Sequence, residues 1–186
     1  MTKQDILEAA GSYPVLFQIA LSSVLDDECE YQADGLTIRW ENVPGDSGGS
    51  TFAGLTVSQD DVPSDPTASF IAETYFSKYW KPFSALPAPL SQLAFSMGVN
   101  FGIYAAVRQI QLACNDYGSH LVVDGEIGNQ TNSAAWKCPD ATGLAMAFLA
   151  KCRSRYHAIV ACKPSQNKFL NGWLSRVDHL QREFIA

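Results

Sequence analysis

At 186 residues the chain is long enough to bury a core of its own, and 47% hydrophobic against 17% charged residues excludes a disordered polymer. A formal net charge of −6 argues against a surface built to hold phosphate backbones, so no nucleic acid is expected as a partner. No apolar run reaches the roughly 18 residues of a membrane span, so no membrane insertion is expected either.

The N-terminal stretch has one lysine followed by acidic residues, with no small-x-small cleavage site after a clean apolar core; no signal peptide is expected. Ser12-Tyr13-Pro14 opens a helix, with serine as N-cap and proline in the first turn. Leu16, Ile19, Ala20, Ser23 and Val24 recur at helical spacing and form an apolar stripe that runs up to Asp26-Asp27-Glu28. Glu28 is therefore expected at the C-terminal end of a core helix. A carboxyl group there meets the negative pole of the helix dipole, a setting that suits a general acid.

From Tyr31 to Thr56 the texture changes. "GLTIRWENV" alternates like a strand, "PGDSGGS" is a turn cluster, and "TFAGLT" follows, which predicts a small hairpin or three-stranded ribbon near residues 31–57. Helices then return over Ala68–Tyr79, over a segment marked by Leu90, Leu93, Ala94 and Met97 and closed by Asn100-Phe101-Gly102, and over Tyr104–Cys114. "LVVDGEIGNQT" reads as a tight turn into a short helix near Asn132–Trp136, and Gly143–Arg155 and Phe169–Arg182 complete the chain. The pattern is mostly α, an α+β fold with few strands, organised as one domain over residues 1–186.

Five cysteines (Cys29, Cys114, Cys138, Cys152, Cys162) show no CxxC spacing, and their odd number leaves at least one thiol free in a monomer. His120, His157 and His179 show no i,i+4 partner or nearby acid pair. No metal and no cofactor are expected.

Carboxylates at the end of a core helix, followed by a polar Gly-rich ribbon, make a cleft suited to glycoside hydrolysis. That reaction needs a protonated carboxylic acid for the leaving oxygen and a second polar group to hold water or to stabilise the sugar cation. Glu28 fits the first role; Asp46, Thr51 and Thr56 are placed for the second. Tyr75, Tyr79 and Trp80 serve either a sugar cleft or the core. Asn100 caps a helix end or faces the cleft, and Gln111 has the same two readings. Cys29 beside Glu28 is a nucleophile only if a base approaches it in space.

Several stretches, in order, resemble the glycoside hydrolase 108 type of bacterial and phage N-acetylmuramidase. "VLDDECEY" is similar to that family's helix ending Val-Leu-x-x-Glu-Gly-Gly-Tyr, which aligns Glu28 with the catalytic glutamate and Tyr31 with the tyrosine. "DSGGSTFAGLT" resembles Asp-Pro-Gly-Gly-x-Thr-x-x-Gly-Ile-Thr, aligning Asp46, Gly48, Gly49, Thr51, Gly54 and Thr56. "YFSKYWKPF", "SMGVNFGIYAAVRQIQLA" with "VDGEIGNQT", and "FLNGWLSRV" complete a set that runs from about Leu16 to Val177.

The resemblance implies a lysozyme-like helical fold with a peptidoglycan-binding-like C-terminal part near residues 115–186. It implies a muramidase that cleaves the β-1,4 bond after N-acetylmuramic acid. Glu28 would be the acid, with Asp46 or Thr51 positioning water and Tyr31, Thr56, Asn100 and Gln111 binding substrate. The implied partners are peptidoglycan glycan strands and, for an antibacterial effector, an immunity protein; a phage lysis system is the other delivery route. A non-catalytic wall-binding module and a lytic transglycosylase remain as alternatives.

Two departures matter. Cys29-Glu30 replaces the glycine pair after the glutamate, and the "ADGLTIRWEN" region lengthens the chain between the glutamate and the Asp-x-Gly-Gly turn. The second departure brings in Glu41 as a rival acid.

Overall fold

Thr2 opens the chain's first helix. Its Oγ1 accepts from the Asp5 amide at 3.2 Å while Asp5 Oδ2 accepts from the Thr2 amide at 2.7 Å, a reciprocal cap on α1 (Lys3–Ala9). The computed structural model describes residues 1–41 and 50–185. They form two compact units, Met1–Trp80 and Lys81–Ala186.

In the first unit, α1 is followed by α2 (Val15–Glu28). The expected serine cap is not used. Ser12 closes a 3₁₀ turn, and Pro14 stands at the N-cap position, where a side chain cannot accept a hydrogen bond. The apolar face also differs from the expected stripe: Ala20, Ser23 and Val24 are buried as expected, but Leu16 and Ile19 are exposed, and Phe17, Leu21 and Leu25 point inward. The reason is that α2 is apolar nearly all round, so spacing alone does not select the inward face. The helix ends at Glu28, with Cys29 in extended backbone.

The ribbon is smaller than the sequence suggests. Strands β1 (Trp40–Glu41), β2 (Thr51–Phe52) and β3 (Leu55–Thr56) form an antiparallel sheet in the order β1-β2-β3. Among the described residues, the rest of the expected strand contributes single bridges, Tyr31 to Ile38 and Thr2 to Thr37. Ala53 and Gly54 connect β2 to β3 with φ of 49° and 78°, the two positive values that a two-residue hairpin turn of right-twisted strands demands.

One helical turn, α3 (Val57–Asp60), follows. Then comes α4 (Ala68–Thr74), capped by Thr67 and continued by a π-helical turn over Tyr75–Trp80. The π turn brings Tyr75 and Trp80 into the core, where Phe17, Phe76 and Trp80 pack with ring centroids 5.2 and 5.7 Å apart.

The described residues of the second unit form helices joined by turns and loops, with no strand: α5 (Leu90–Phe101), α6 (Ile103–Asp116), α7 (Asn129–Lys137), α8 (Ala141–Cys162) and α9 (Asn167–Phe184), with 3₁₀ turns at Lys81–Phe83 and Pro164–Gln166 and a non-helical connection over 117–128. Each expected helix is present, most of them longer than their apolar patterns indicated. α5 is buried continuously from Leu90 to Gly98, and α8 packs against α5, α6 and α9. Arg153 ties α8 to α9 through Asp178 at 2.7 Å and Gln181 at 3.0 Å, and Tyr156 stacks on Trp173 at 5.0 Å. His179 does have an acid at i+4, contrary to the sequence reading: its Nε2 lies 3.6 Å from Glu183 Oε2. Among the described residues the architecture is thus mostly helical with one small antiparallel sheet, the α+β class that the sequence predicts. No helix among the described residues is long and apolar enough to cross a membrane.

Candidate active site

Three pieces of the first unit converge on Glu28. It is the last residue of α2, and the β2–β3 turn lies directly against its side chain. A Cβ built on Gly54 would stand 2.6 Å from Glu28 Cβ, 3.1 Å from Glu28 Cγ and 2.6 Å from the Tyr75 hydroxyl. Only a glycine backbone fits so close, and the turn also needs its positive φ. The third piece is the π turn: the buried Tyr75 hydroxyl donates to the Ala53 carbonyl at 2.7 Å and pins the turn in place.

The register of the ribbon then fixes which side chains share a face. Glu41 pairs with Thr51, and Thr51 pairs with Thr56, so these three form one cross-strand row. Trp40, Phe52 and Leu55 form the opposite row, with Phe52 and Leu55 buried and the Trp40 and Phe52 rings 5.1 Å apart. All three members of the polar row are half-buried.

The Glu41 carboxyl titrates above the usual range, because burial disfavours its charge and the carboxylates of Glu30 and Glu28 add to this against the pull of Arg39. Glu41 thus lies close enough to Glu28, at one end of the ribbon, to feel its charge. Asp46, Gly48 and Gly49 lie outside the described residues.

Thr56 is held by a residue that the sequence reading did not single out. Asp60, whose side chain is almost fully buried, accepts from the Thr56 amide at 2.8 Å, from Lys78 Nζ at 2.6 Å and from the Tyr79 hydroxyl at 2.8 Å. A buried carboxylate with this set of donors fixes the end of β3 to the π turn. Burial, and then the bond to Asp60, push the Tyr79 phenol well above its usual range, so it remains a neutral donor.

The residues next to Glu28 divide differently from their sequence order. Burial pushes the Cys29 thiol up to about 12, against a Tyr31 hydrogen bond that lowers it, and the Glu28 charge raises it further. This is a protonated thiol rather than an activated nucleophile. Glu30 pairs with Arg39 at 3.2 Å, both side chains about half exposed. Neither Cys29 nor Glu30 takes a left-handed backbone, so neither position needs the conformational freedom of a glycine.

Tyr31 lines a cavity of about 550 Å³ with Thr2, Lys3, Leu7, Ser22 and Leu36. Asp26 pairs with Lys3 at 2.5 Å. Asp34 ties its own loop, accepting from the Leu36 and Thr37 amides at 2.9 and 2.8 Å and from the Thr37 hydroxyl; these bonds hold its carboxyl at about 2.

Asn100 and Gln111 belong to the second unit. Asn100 Oδ1 accepts from the Tyr156 hydroxyl. Gln111 is buried and organises the 124–126 turn. Its Nε2 donates to Asp124 Oδ1 at 2.7 Å and to the Glu126 carbonyl at 3.1 Å, and its Oε1 accepts from the Gly125 amide at 2.9 Å.

Comparison with known proteins bears on this second unit first. Residues 105–178 match the model of a family described as a predicted peptidoglycan domain. Among curated proteins none matches the chain. Among solved structures, the chain is similar to that of Brucella abortus SagA. The two share 22% identity over 89% of this chain and 91% of the other, with a TM-score of 0.69. At that identity the likeness establishes the fold.

No group of three or more His, Cys, Asp or Glu among the described residues is arranged to hold a metal ion. Among the described residues, the groups gathered about Glu28 and its ribbon are carboxyl, hydroxyl and phenol groups.

Proposed function

We propose that the protein is a peptidoglycan hydrolase: an N-acetylmuramidase of the glycoside hydrolase 108 type that cleaves the β-1,4 bond between N-acetylmuramic acid and N-acetylglucosamine. The observation that carries this reading is the seating of Glu28 at the end of α2 against the Gly54 turn, beside a polar row of Glu41, Thr51 and Thr56. Glu28 protonates the glycosidic oxygen. The second polar group that holds water or steadies the sugar cation comes from the ribbon: Thr51 or Asp46, with Thr56 and Tyr31 contacting the glycan. Asn100 and Gln111 support substrate binding through the helix ends and turn they organise. The peptidoglycan-domain match over residues 105–178 supports the same substrate.

The enzyme works on the cell wall, in the periplasm of a target cell or in a host envelope. A phage lysis system or a dedicated secretion route delivers it; in the second case an immunity protein protects the producer. Replacement of the glycine pair would favour a non-catalytic wall-binding module if those positions required glycine. The extended backbone at Cys29 and the absence of positive φ at Glu30 weigh against that alternative.

The test is release of reducing sugar from purified sacculi. Glu28→Gln should abolish it while the protein stays folded. Full activity in that variant overturns the assignment, and loss confined to Glu41→Gln transfers the acid role to Glu41.

A further inference from the structure

The second unit contains an open groove of about 720 Å³, within the range of about 300–1,000 Å³ typical of ligand pockets. All of its lining residues fall between Tyr117 and Pro139, inside the segment that matches the peptidoglycan-domain family.

One wall is the 117–121 loop, which is tied down by hydrogen bonds from its own neighbourhood. Asn115 grips it from both sides, donating from Nδ2 to the Leu121 carbonyl at 2.9 Å and accepting on Oδ1 from the Leu121 amide at 2.5 Å. The Tyr117 and Ser119 amides donate to the Cys114 carbonyl at 3.0 and 3.2 Å. His120 takes a φ of 54°, an unfavourable region for a side chain with a Cβ, and the surrounding bonds hold it there. A wall fixed in this way loses little freedom on binding.

The other wall is one face of α7. Asn129, Ser133 and Lys137 recur at i, i+4 and i+8 and give a stripe of amide, hydroxyl and ammonium, with Gln130 beside it, while Thr131 and Ala135 are buried on the opposite side.

The chemistry of this lining is selective. It offers neutral donors and acceptors along most of its length, one fixed cation at Lys137, and no carboxylate. The two acids that adjoin the lining along the chain are both occupied: Asp116 pairs with Lys151 at 2.7 Å, and Asp140 is the N-cap of α8, accepting from the Gly143 amide at 2.8 Å. Tyr117 is the groove's lone phenol or indole, so stacking of successive sugar rings is not its main resource. Amides and hydroxyls opposite an ordered loop match the alternating N–H and C=O groups of a peptide, and an ammonium at one end matches a carboxylate.

The overall charge points the same way. The sequence places 10 Lys and Arg against 6 Asp and Glu in the second unit, but 3 against 13 in the first, so an anionic ligand is drawn to the second.

We propose that the groove between the 117–121 loop and α7 binds the peptide stem of the wall polymer, with a stem carboxylate paired to Lys137. This rests on the peptidoglycan reading above and adds a second recognition element to it, separate from the Glu28 chemistry.

The experiment uses the full chain carrying Glu28→Gln, so that ligand is not consumed. It is titrated by NMR with three probes: a disaccharide carrying a pentapeptide, the same disaccharide without peptide, and the free pentapeptide. The expected result is saturable shifts at Ser119, His120, Asn129 and Ser133 with both peptide-bearing probes and none there with the bare disaccharide. Lys137→Glu should weaken binding about tenfold or more, and Lys137→Arg should retain it.

Shifts with the bare disaccharide equal to those with the peptides, or unchanged affinity in Lys137→Glu, overturn the proposal. Absence of shifts at these residues with any peptide probe also overturns it. If wild-type protein still releases muropeptides from sacculi in that event, the hydrolase reading stands and only the groove assignment falls.

Discussion

Gly54 offers a quantitative test of how the ribbon is seated on α2. Replacing it with alanine adds one methyl group at a φ of 78°, where an L residue costs about 1–2 kcal/mol. The methyl would also stand 2.6 Å from Glu28 Cβ and from the Tyr75 hydroxyl, whereas carbon contacts settle near 3.5–4.0 Å. Neither neighbour yields freely. Glu28 Cβ is fixed to the helix backbone, and Tyr75 is fully buried with its hydroxyl committed to the Ala53 carbonyl.

Overpacking of this kind costs about 1–3 kcal/mol, and loss of the Tyr75 bond adds about 1 kcal/mol if the phenol is the group that moves. The expected destabilisation of Gly54→Ala is therefore about 2–6 kcal/mol by urea unfolding of the full chain. Gly35→Ala is the control. Gly35 has a φ of 67° but nothing within 4 Å of its added methyl, so it should lose only the backbone cost of about 1–2 kcal/mol. Equal losses in the two variants would refute the claim that the turn is packed against Glu28.

Other consequences follow from the charges and hydrogen bonds. Glu41 has a raised folded-state pKa, so its ionisation opposes folding; the penalty is absent at low pH and grows as pH rises through the unfolded and then the folded value. Glu41→Gln should accordingly raise the melting temperature at pH 7 and leave it unchanged near pH 3; an effect of the same size at both would contradict this. Asp60→Ala removes the acceptor shared by Thr56, Lys78 and Tyr79, and should cost about 2–4 kcal/mol, below the full value for a buried pair because the Lys78 side chain is 39% exposed. A loss under about 1 kcal/mol by denaturant titration would show that water replaces these bonds. Gln111→Leu should free the Gly125 amide and speed its hydrogen exchange by at least about tenfold with little change elsewhere; unchanged protection would mean the 124–126 turn holds itself.

The sequence was most legible where periodicity and caps agree. The end of α2 at Glu28 and the whole helical succession after Leu90 were evident from apolar spacing and from Gly102, which closes α5 with a φ of 88°. The face of α2 was not, because Leu16 and Ile19 are as apolar as the residues that turned inward. The α1 helix is not legible from periodicity, because seven residues with one buried side chain give no periodic signal; its mark in the sequence is the Thr2 and Asp5 capping pair.

Parts of the site were legible only as a list. The neighbourhood of Thr51 and Thr56 in sequence suggested a ribbon, but their alignment with Glu41 depends on a register that pattern alone does not fix. Asp60 was invisible for a related reason. In "SQDD" it looks like any solvated acid, and the partners that bury it, Lys78 and Tyr79, lie 18 and 19 residues away on a π turn.

The central claim is that Glu28 is the acid of a hydrolytic muramidase. It is tested most directly by mass spectrometry of the soluble products when purified sacculi are incubated with wild-type protein and with Glu28→Gln. The expected products are muropeptides with reducing N-acetylmuramic acid ends from the wild type and none from the variant. Anhydro ends from the wild type, or equal release by the two proteins, would contradict it.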